Sequence, residues 1–272
     1  RPVAFVVEFV YQVSRALVAA RRVVRFLRLE PMDDTGTRDA PAEPAALHDP
    51  ESGVRVLPGR LTALAAALPA DATAVVDRLG RYTPSSATWG DLPLADIALP
   101  QLRQRILVAD PEADLFADTL RELVAGHADR DETAIAQAVH TAVAEDIVRG
   151  LPDGLDTPMD AQGRNLSGGQ RQRVRLVRTL LADPEVLLAI EPTSALDAHT
   201  EARVAERLHS TRRGRTTLVT TTSPLVLDRA DTVHYLVDGK VSATGSHREL
   251  MNTEPGYRAL VARDEDAKEL AK

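Results

Sequence analysis

The chain has 272 residues, of which 44% are hydrophobic and 27% are charged, as is ordinary for a soluble globular protein with a sizeable core. Its formal net charge of −7 argues against a nucleic-acid binder, which would normally carry a basic surplus or patch. It contains no cysteine, so disulfides and thiolate metal sites are excluded, and none of its seven histidines is at ligand spacing from another. We therefore expect no metal site in this chain.

The first 30 residues leave two interpretations open. The stretch 2–13 is apolar apart from Glu8 and Gln12, but it is shorter than the ~20 residues that a membrane-spanning helix needs. Five arginines between Arg15 and Arg28 follow, interleaved with leucine and valine. This pattern fits an amphipathic surface helix or the cytoplasmic end of a transmembrane helix, with its arginines on the inner side of the membrane. Since residue 1 is not Met, we expect the chain to be part of a longer one.

Beyond this arm the composition predicts a linker followed by an α/β domain. Residues 31–46 are rich in Pro, Asp and Ala, which is typical of a linker. Short apolar runs then alternate with helical stretches, which predicts a parallel sheet covered by helices. Three of these runs, Leu61–Ala66, Val186–Ile190 and Thr216–Thr221, predict strands, and residues 111–150 predict a helical insert.

The C-terminal part predicts a hairpin and a helix. Residues 234–245 hold two short runs separated by Asp238 and Gly239, a dipeptide typical of a tight hairpin turn. Ser246 is the expected N-cap of the helix that follows.

Residues 165–173 read NLSGGQRQR and precede an apolar stripe with helical spacing. Ser167, Gly168 and Gly169 therefore stand at the beginning of a helix, where free N–H groups and the helix dipole favour a phosphate. The glycines would allow close approach because they have no Cβ. For the three residues SGG alone, a flexible glycine turn that only caps the helix is the favoured interpretation.

The complete pentapeptide LSGGQ followed by RQR resembles the signature of ABC ATPases. It is followed at the family's spacing by residues 183–185 (DPE), the strand VLLAI and residues 191–197 (EPTSALD), which are similar to the family's Asp-Glu and PTSALD. Residues 151–157 (LPDGLDT) and the pattern over 228–250 resemble ABC exporters. The resemblance extends over roughly residues 50–262.

This resemblance implies an α/β fold of the P-loop NTPase-like ABC ATPase type. Such a domain has a mostly parallel sheet core with helices, a small antiparallel β part and a helical subdomain, and here the end of a transmembrane helix would precede it. The implied boundaries are 1–30 for the cytoplasmic end of the last transmembrane helix, 31–46 for the linker, 47–265 for the nucleotide-binding domain and 266–272 for a tail. The helical subdomain would cover about 112–165, and the domain would lie on the cytoplasmic side of the cell membrane.

One segment departs from the family's pattern. A P-loop requires G-x-x-x-x-G-K-[ST] after the first strand, so that backbone amides and a lysine hold the phosphates. Aligned on the strand, this segment is Ala66–Thr73, and only Thr73 keeps the pattern. The first glycine, the family's central glycine, the second glycine and the lysine are replaced by Ala66, Pro69, Asp71 and Ala72.

The charge at this segment is also unfavourable for ATP. Asp71 would place a carboxylate near the polyphosphate, and like unit charges 4 Å apart repel by about 1 kcal/mol in bulk water and about 4 kcal/mol at an effective dielectric of 20. Pro69 removes a backbone N–H donor. We therefore expect no ATP in the chain's own P-loop.

The other nucleotide-binding positions of the family are replaced as well. The strand-end aspartate that organises Mg²⁺ is Ile190, the switch histidine falls on Thr222, and the sensing glutamine falls near Pro111. No tyrosine occurs between Tyr11 and Tyr82, so the aromatic side chain that stacks on adenine is missing.

Two acidic residues do match the family. Glu191 corresponds to the catalytic base, but without metal or nucleotide beside it we expect it to be silent. Asp197 corresponds to the loop that meets the partner domain, and we expect a structural role there.

In ABC dimers each ATP lies between the P-loop of one domain and the signature of the other. The resemblance therefore implies a degenerate half of a heterodimeric exporter, coupled to a transmembrane domain. A partner with an intact P-loop would hold ATP and Mg²⁺, and Ser167, Gly168, Gly169 and Gln170 would close over the γ-phosphate. A regulatory or scaffolding subunit without ATP contact, and an autonomous ATPase with an unorthodox P-loop, remain alternatives. The transported substrate is not determined by this domain.

Overall fold

The computed structural model describes residues 2–28, 34–126 and 130–270, without the side chains of 2–7 and 263–270. Several predicted segments therefore lie partly outside the described residues. These are residue 1, the junction of transmembrane helix and linker at 29–33, residues 127–129 of the helical subdomain, and residues 271–272 of the tail.

The chain divides into two units, Arg1–Asp34 and Thr35–Lys272. The first contains a single helix, α1 (Pro2–Leu27), in which the described apolar and arginine side chains are exposed. None of the helices in the described ranges is long and apolar enough to cross a membrane.

The second unit contains all the strands and ten further α-helices of the described residues, besides three short 3-10 helices. In chain order the strands are β1 (Leu47–Asp49), β2 (Val54–Val56), β3 (Leu61–Ala66), β4 (Thr88–Trp89), β5 (Leu92–Pro93), β6 (Ile106–Ala109), β7 (Asp118–Thr119), β8 (Pro158–Met159), β9 (Val186–Ile190), β10 (Thr216–Thr220), β11 (Thr232–Val237) and β12 (Lys240–Gly245). The helices are α2 (Pro69–Leu79), α3 (Leu99–Arg105), α4 (Leu120–Ala125), α5 (Glu132–Thr141), α6 (Glu145–Gly150), α7 (Gly168–Leu181), α8 (Ala198–Thr211), α9 (Pro224–Leu227), α10 (His247–Thr253) and α11 (Pro255–Leu270).

The central sheet has six strands in the spatial order β12-β11-β3-β10-β9-β6. From β11 to β6 all neighbours are parallel, and β12 is antiparallel to β11. A four-stranded antiparallel sheet, β2-β1-β4-β5, and the pair β7-β8 complete the β structure of the described residues. This is the predicted mixture of a mostly parallel core and a small antiparallel part, and the predicted fold class is confirmed.

The three predicted strands lie in the middle of this sheet. Leu61–Ala66 and Val186–Ile190 form β3 and β9 with the predicted bounds, whereas the third strand, β10, ends at Thr220, one residue earlier than expected. β3 is buried on both faces. Leu64 faces the core shared with α2, and Ala63 faces the core shared with the C-terminal helices α10 and α11.

The C-terminal predictions are confirmed in detail. The turn between β11 and β12 has φ +49° at Asp238 and +74° at Gly239, the left-handed backbone that a two-residue hairpin turn of this type requires. Ser246 caps α10, because its hydroxyl accepts a hydrogen bond from the N–H of Glu249 while the Glu249 side chain bonds the N–H of Ser246.

The predicted insert is helical and has its own core. Helices α4, α5 and α6 pack against α7 around buried leucine, isoleucine and valine side chains. Thr119 caps α4 at one end, and Gly126 ends it with φ +63°. α7 therefore belongs to this core and also leads into the sheet through β9.

From Thr35 onward the segment predicted as a linker lies against the edge of the domain. Arg38 forms a parallel bridge with Ile97, with its N–H donating to the carbonyl of Asp96 at 2.9 Å. A Cβ on Gly36 would lie 2.4 Å from the carbonyl oxygen of Ile97, so the backbones are too close for any other residue at this position.

Candidate functional site

The carboxyl edge of the parallel sheet gathers most of the predicted nucleotide positions. In the strand register Leu64 of β3 is opposite Thr220 of β10, which is opposite Ile190 of β9. The segment Ala66–Thr73 and residue Glu191 therefore leave the sheet at the same edge, where ligands of open α/β sheets bind.

The loop at the position of the P-loop is short and apolar. Only Ala67 and Leu68 separate β3 from α2, and both are exposed. Leu68 is 61% exposed, and its side chain makes no cap for the helix. Between Leu61 and Asp77 the sequence has no glycine, lysine or arginine, so no shift of the alignment by a residue or two restores the phosphate-binding residues.

The first turn of α2 carries its own negative charge. Pro69 occupies the beginning of the helix, and Asp71 lies in the first turn with its N–H bonded to the carbonyl of Leu68 at 3.0 Å. A carboxylate at this end already complements the positive end of the helix dipole. Ala72 is buried and Thr73 is half-buried in the same turn. Neither side chain carries a positive charge that could attract a phosphate.

The nearest basic residue after β3 in the sequence is Arg78, at the other end of α2. Its guanidinium bonds the carboxylate of Asp49 on β1, with Nη2 2.8 Å from Oδ2 and Nε 3.1 Å from Oδ1. Although burial raises the pKa of Asp49, hydrogen bonds from Arg78 and Ser52 hold that pKa below its ordinary value. This cation therefore braces α2 against the antiparallel sheet.

The second strand end has an unusual backbone. Ile190, in place of the Mg²⁺-organising aspartate, packs against the core. Glu191 has φ +42°, in the left-handed region, and its N–H donates to the carbonyl and hydroxyl oxygens of Thr220 at 3.1 and 3.0 Å. Such a conformation costs free energy and persists only where the surroundings fix it. Thr222 follows β10 and is half-buried.

The signature segment forms a complete helix start. Ser167 caps α7: its hydroxyl accepts from the N–H of Gln170 at 3.2 Å, and the Gln170 side chain accepts from the N–H of Ser167 at 2.9 Å. The first turn of α7 carries no acidic residue, unlike that of α2. Its positive dipole end is therefore left without a carboxylate in that turn.

The two signature glycines have different surroundings. A Cβ on Gly168 would have no atom within 4 Å, whereas a Cβ on Gly169 would lie 2.9 Å from the carbonyl oxygen of Ala195. Packing within the chain therefore explains a glycine at 169 but not at 168.

Gln172 is a residue of the candidate site that the sequence analysis did not single out. Its buried side chain donates to the carbonyl oxygen of Glu191 at 2.8 Å and accepts from the N–H of Ala195 at 2.8 Å. The signature segment and the loop after β9 are thus directly joined. The only signal in the sequence was the RQR that follows LSGGQ, and its middle residue is Gln172.

Asp197 has a local structural role. It caps α8 by accepting a hydrogen bond from the N–H of Thr200 at 3.0 Å. Hydrogen bonds from Thr200 lower the pKa of Asp197. Asp197 is exposed, and it follows two residues after Ala195, the loop residue that Gly169 of the signature segment contacts.

Pro111 follows β6, and its neighbours Asp110 and Ala113 line a surface groove of about 510 Å³ together with Phe116 and Arg175 of α7.

Within the described part of the chain, no group of three or more His, Asp or Glu side chains is arranged to hold a metal ion.

Comparison with known proteins shows similarity to ABC transporters. A family model described as ABC transporter matches residues 77–194, which include the signature segment and Glu191 and leave Ala66–Thr73 outside. An ATP-dependent lipid A-core flippase of Alkalilimnicola ehrlichii is 34% identical over 92% of this chain and 46% of its own length. A second, from Psychrobacter arcticus, is 30% identical over 97% of this chain and 47% of its own length.

A solved structure shares the fold. A bacterial Atm1-family ABC exporter with ATP bound superposes with a TM-score of 0.79 and 24% identity, over 94% of this chain and 49% of that one. The fold and the signature segment define an ABC-type ATPase domain. The chain belongs to the ABC transporter family. It spans about half the length of these relatives.

Proposed function

We propose that this chain is the degenerate nucleotide-binding domain of an ABC exporter and that it completes the ATP site of a partner domain. The partner holds ATP and Mg²⁺ in its own intact P-loop. The signature segment of this chain, Ser167 to Gln170, closes over the γ-phosphate, and its own P-loop stays inactive. Hydrolysis at that single composite site is coupled to transport through the transmembrane domain.

The observation that carries this proposal is the open surface around Gly168. Ser167 and Gln170 have a capping role, and Gly169 is required by its contact with Ala195. Gly168 has no such role within the chain, since the space in front of it is empty to 4 Å. A glycine on an open helix start without an acidic first turn suits the close approach of a phosphate from another molecule.

The chain's own P-loop does not fit MgATP. The two-residue connection between β3 and α2 has no glycine, and no lysine or arginine follows before Arg78, which is committed to Asp49. Asp71 would repel the phosphates, and Ile190 cannot coordinate a metal ion. For the same reasons we propose that Glu191 is catalytically silent.

The setting of the whole protein follows from its relatives. The curated relatives are ATP-dependent lipid A-core flippases, about twice the length of this chain. We propose that the full protein is a membrane exporter with this domain on the cytoplasmic side, that α1 continues from its transmembrane domain, and that it works as a hetero-oligomer with a second ABC subunit or domain.

A second candidate function has a specific observation in its favour. The capping box and the packing of Gly169 give three of the four signature residues a role in this chain alone. The signature could then be a structural helix start in a regulatory or scaffolding subunit that contacts no ATP. The two functions differ in whether the signature segment contacts the ATP of a partner domain, and Gly168 is the residue of that segment with no role within the chain.

The deciding experiment is the substitution Gly168→Asp in the full-length protein. Gly168 is the first residue of α7, where a carboxylate is favoured by the helix dipole, so the fold should be kept. In the composite site the new charge would face the γ-phosphate. We expect the ATPase rate of the complex, co-expressed with its partner ABC subunit and reconstituted in liposomes, to fall roughly 100-fold.

The matched control is Gly150→Asp, which adds the same charge at another glycine with open space around it. It should leave the rate unchanged. An undiminished ATPase rate in a folded Gly168→Asp complex would contradict the proposal and favour the scaffolding function. Micromolar binding of ATP to the isolated chain would instead favour an autonomous ATPase.

A further inference from the structure

The side chain of Gln172 is fully used in joining α7 to the loop after β9. Its Nε2 donates to the carbonyl oxygen of Glu191 at 2.8 Å and to the hydroxyl of Ser194 at 3.2 Å. Its Oε1 accepts from the N–H of Ala195 at 2.8 Å. The residue is 5% exposed, so these bonds are shielded from water and costly to leave unmade.

Close packing reinforces this junction on the signature side. A Cβ on Gly169 would be 2.9 Å from the carbonyl oxygen of Ala195 and 3.5 Å from Cδ2 of Leu196. The first turn of α7 therefore rests directly on the loop, three residues before the amide of Gln172 holds it.

The loop is fixed at both ends as well. At its beginning, the left-handed backbone of Glu191 is held from its N–H by Thr220 and from its carbonyl by Gln172. In its middle, the hydroxyl of Thr193 donates to the buried carboxylate of Glu201 at 2.8 Å. At its end, Asp197 caps α8.

We propose that Gln172 is a positioning residue that makes the signature segment and the loop 191–197 one rigid unit. The chain then presents Ser167 and Gly168 together with the exposed Asp197 at a fixed separation. This inference rests on the proposed function, since it concerns how the same surface meets the ATP of a partner domain. It adds that the buried amide of Gln172, together with the close packing of Gly169 on Ala195, sets the geometry of that surface.

Gln172 should affect activity through the orientation of the signature segment toward the reacting phosphate. A group that has to close over a reacting phosphate loses effect steeply when it is displaced, and a 1 Å error can cost about 10²-fold in rate. Loosening the junction should therefore lower the turnover of the composite site more than the affinity for ATP, because the partner's own P-loop holds the nucleotide.

This chain contains no cysteine, so a spin-label pair can be introduced into it without replacing a native cysteine within these 272 residues. Arg164→Cys, before the signature, and His199→Cys, after Asp197, are exposed positions on the two sides of the junction. In the full-length protein, pulsed dipolar EPR should give one narrow distance peak. Gln172→Met, which keeps the side-chain length but removes the hydrogen bonds, should abolish that single peak. The exposed Gln137→Met is the matched control and should retain it.

In the assembled, liposome-reconstituted complex, Gln172→Met should lower kcat for ATP on the order of tenfold, with KM changed less.

A narrow EPR distance peak retained in folded Gln172→Met would overturn the inference, even if Gly168→Asp abolishes hydrolysis. Conversely, Gly168→Asp without effect would overturn the proposed function, whatever the EPR result. If Gln172→Met does not fold, Gln172→Asn decides, because it keeps a buried amide that is one methylene too short for the bonds to Glu191, Ser194 and Ala195. A broadened peak then supports the inference, and an unchanged peak overturns it.

Discussion

Gly169 and Ala195 approach so closely that a Cβ on the glycine would be 2.9 Å from the carbonyl oxygen of the alanine. Real Cβ contacts are not that short, and the obstacle is backbone that cannot rotate away. The neighbouring Gly168 faces open space. Packing within the chain therefore requires a glycine at 169, whereas the glycine at 168 has no packing reason within the chain.

The two glycines should respond in opposite ways to the same substitution. Gly169→Ala forces the loop and α7 apart and should lower the free energy of unfolding by about 1–3 kcal/mol. Gly168→Ala should leave it unchanged or raise it by up to about 1 kcal/mol, because alanine favours the helix. Urea denaturation of both variants measures this, and equal effects would mean that the contact with Ala195 is not as close as described.

The ion pair of Asp49 and Arg78 should be a main support of α2. Asp49 is fully buried and the Arg78 side chain is 12% exposed, so Asp49→Asn would strand a nearly buried guanidinium. We expect a loss of about 3 kcal/mol in the free energy of unfolding. Glu51→Gln removes the 3.4 Å contact of Arg78 with a carboxylate that is 67% exposed, and this should cost less than about 1 kcal/mol.

The same pair predicts a dependence on pH. Since the folded-state pKa of Asp49 is lowered, its stabilisation is complete above its unfolded-state pKa of about 3.9 and is lost as the pH falls through the folded-state value. The wild type should thus lose stability in acid more steeply than Asp49→Asn, as unfolding curves between neutral pH and pH 3 would reveal. Parallel curves would contradict the assignment.

His234 should add a second pH dependence. Burial lowers its pKa, against the opposing effect of a hydrogen bond to the carbonyl of Arg55 at 2.8 Å. The unfolded chain therefore binds the proton more readily, and stability should fall as the pH drops below about 6.5 toward the folded-state pKa. Comparing urea midpoints at pH 7.5 and 5.5, His234→Gln should show a smaller decrease than the wild type.

The isolated chain should not bind MgATP at its P-loop position. Without glycines or a lysine between Leu61 and Asp77, and with Asp71 in the first turn of α2, we expect no binding tighter than about 1 mM. Isothermal titration calorimetry with MgATP tests this. Asp71→Asn should change the measured affinity little, since it removes repulsion but supplies no phosphate-binding glycine or lysine. Saturable heats at micromolar ATP would refute the degenerate P-loop.

Local chemistry made part of this protein predictable from its sequence alone. Apolar runs without interruption become strands buried on both faces, so Leu61–Ala66 and Val186–Ile190 were found with their bounds. The turn at Asp238 and Gly239 and the cap at Ser246 depend on residues next to one another in the chain. The signature segment was readable because its residues are contiguous, and so was the absence of a phosphate-binding sequence at Ala66–Thr73.

Only the tertiary structure decided which residues that are distant in the sequence come into contact. The bonds of Gln172 to Glu191 and Ala195 join residues about 20 positions apart, and those of Arg78 to Asp49 join residues on different layers. No local pattern distinguishes Gly168 from Gly169, because the difference is the presence or absence of a distant backbone in front of the missing Cβ. Propensity and motif spacing act over a few residues, whereas close packing and buried hydrogen bonds depend on where the folded chain returns upon itself.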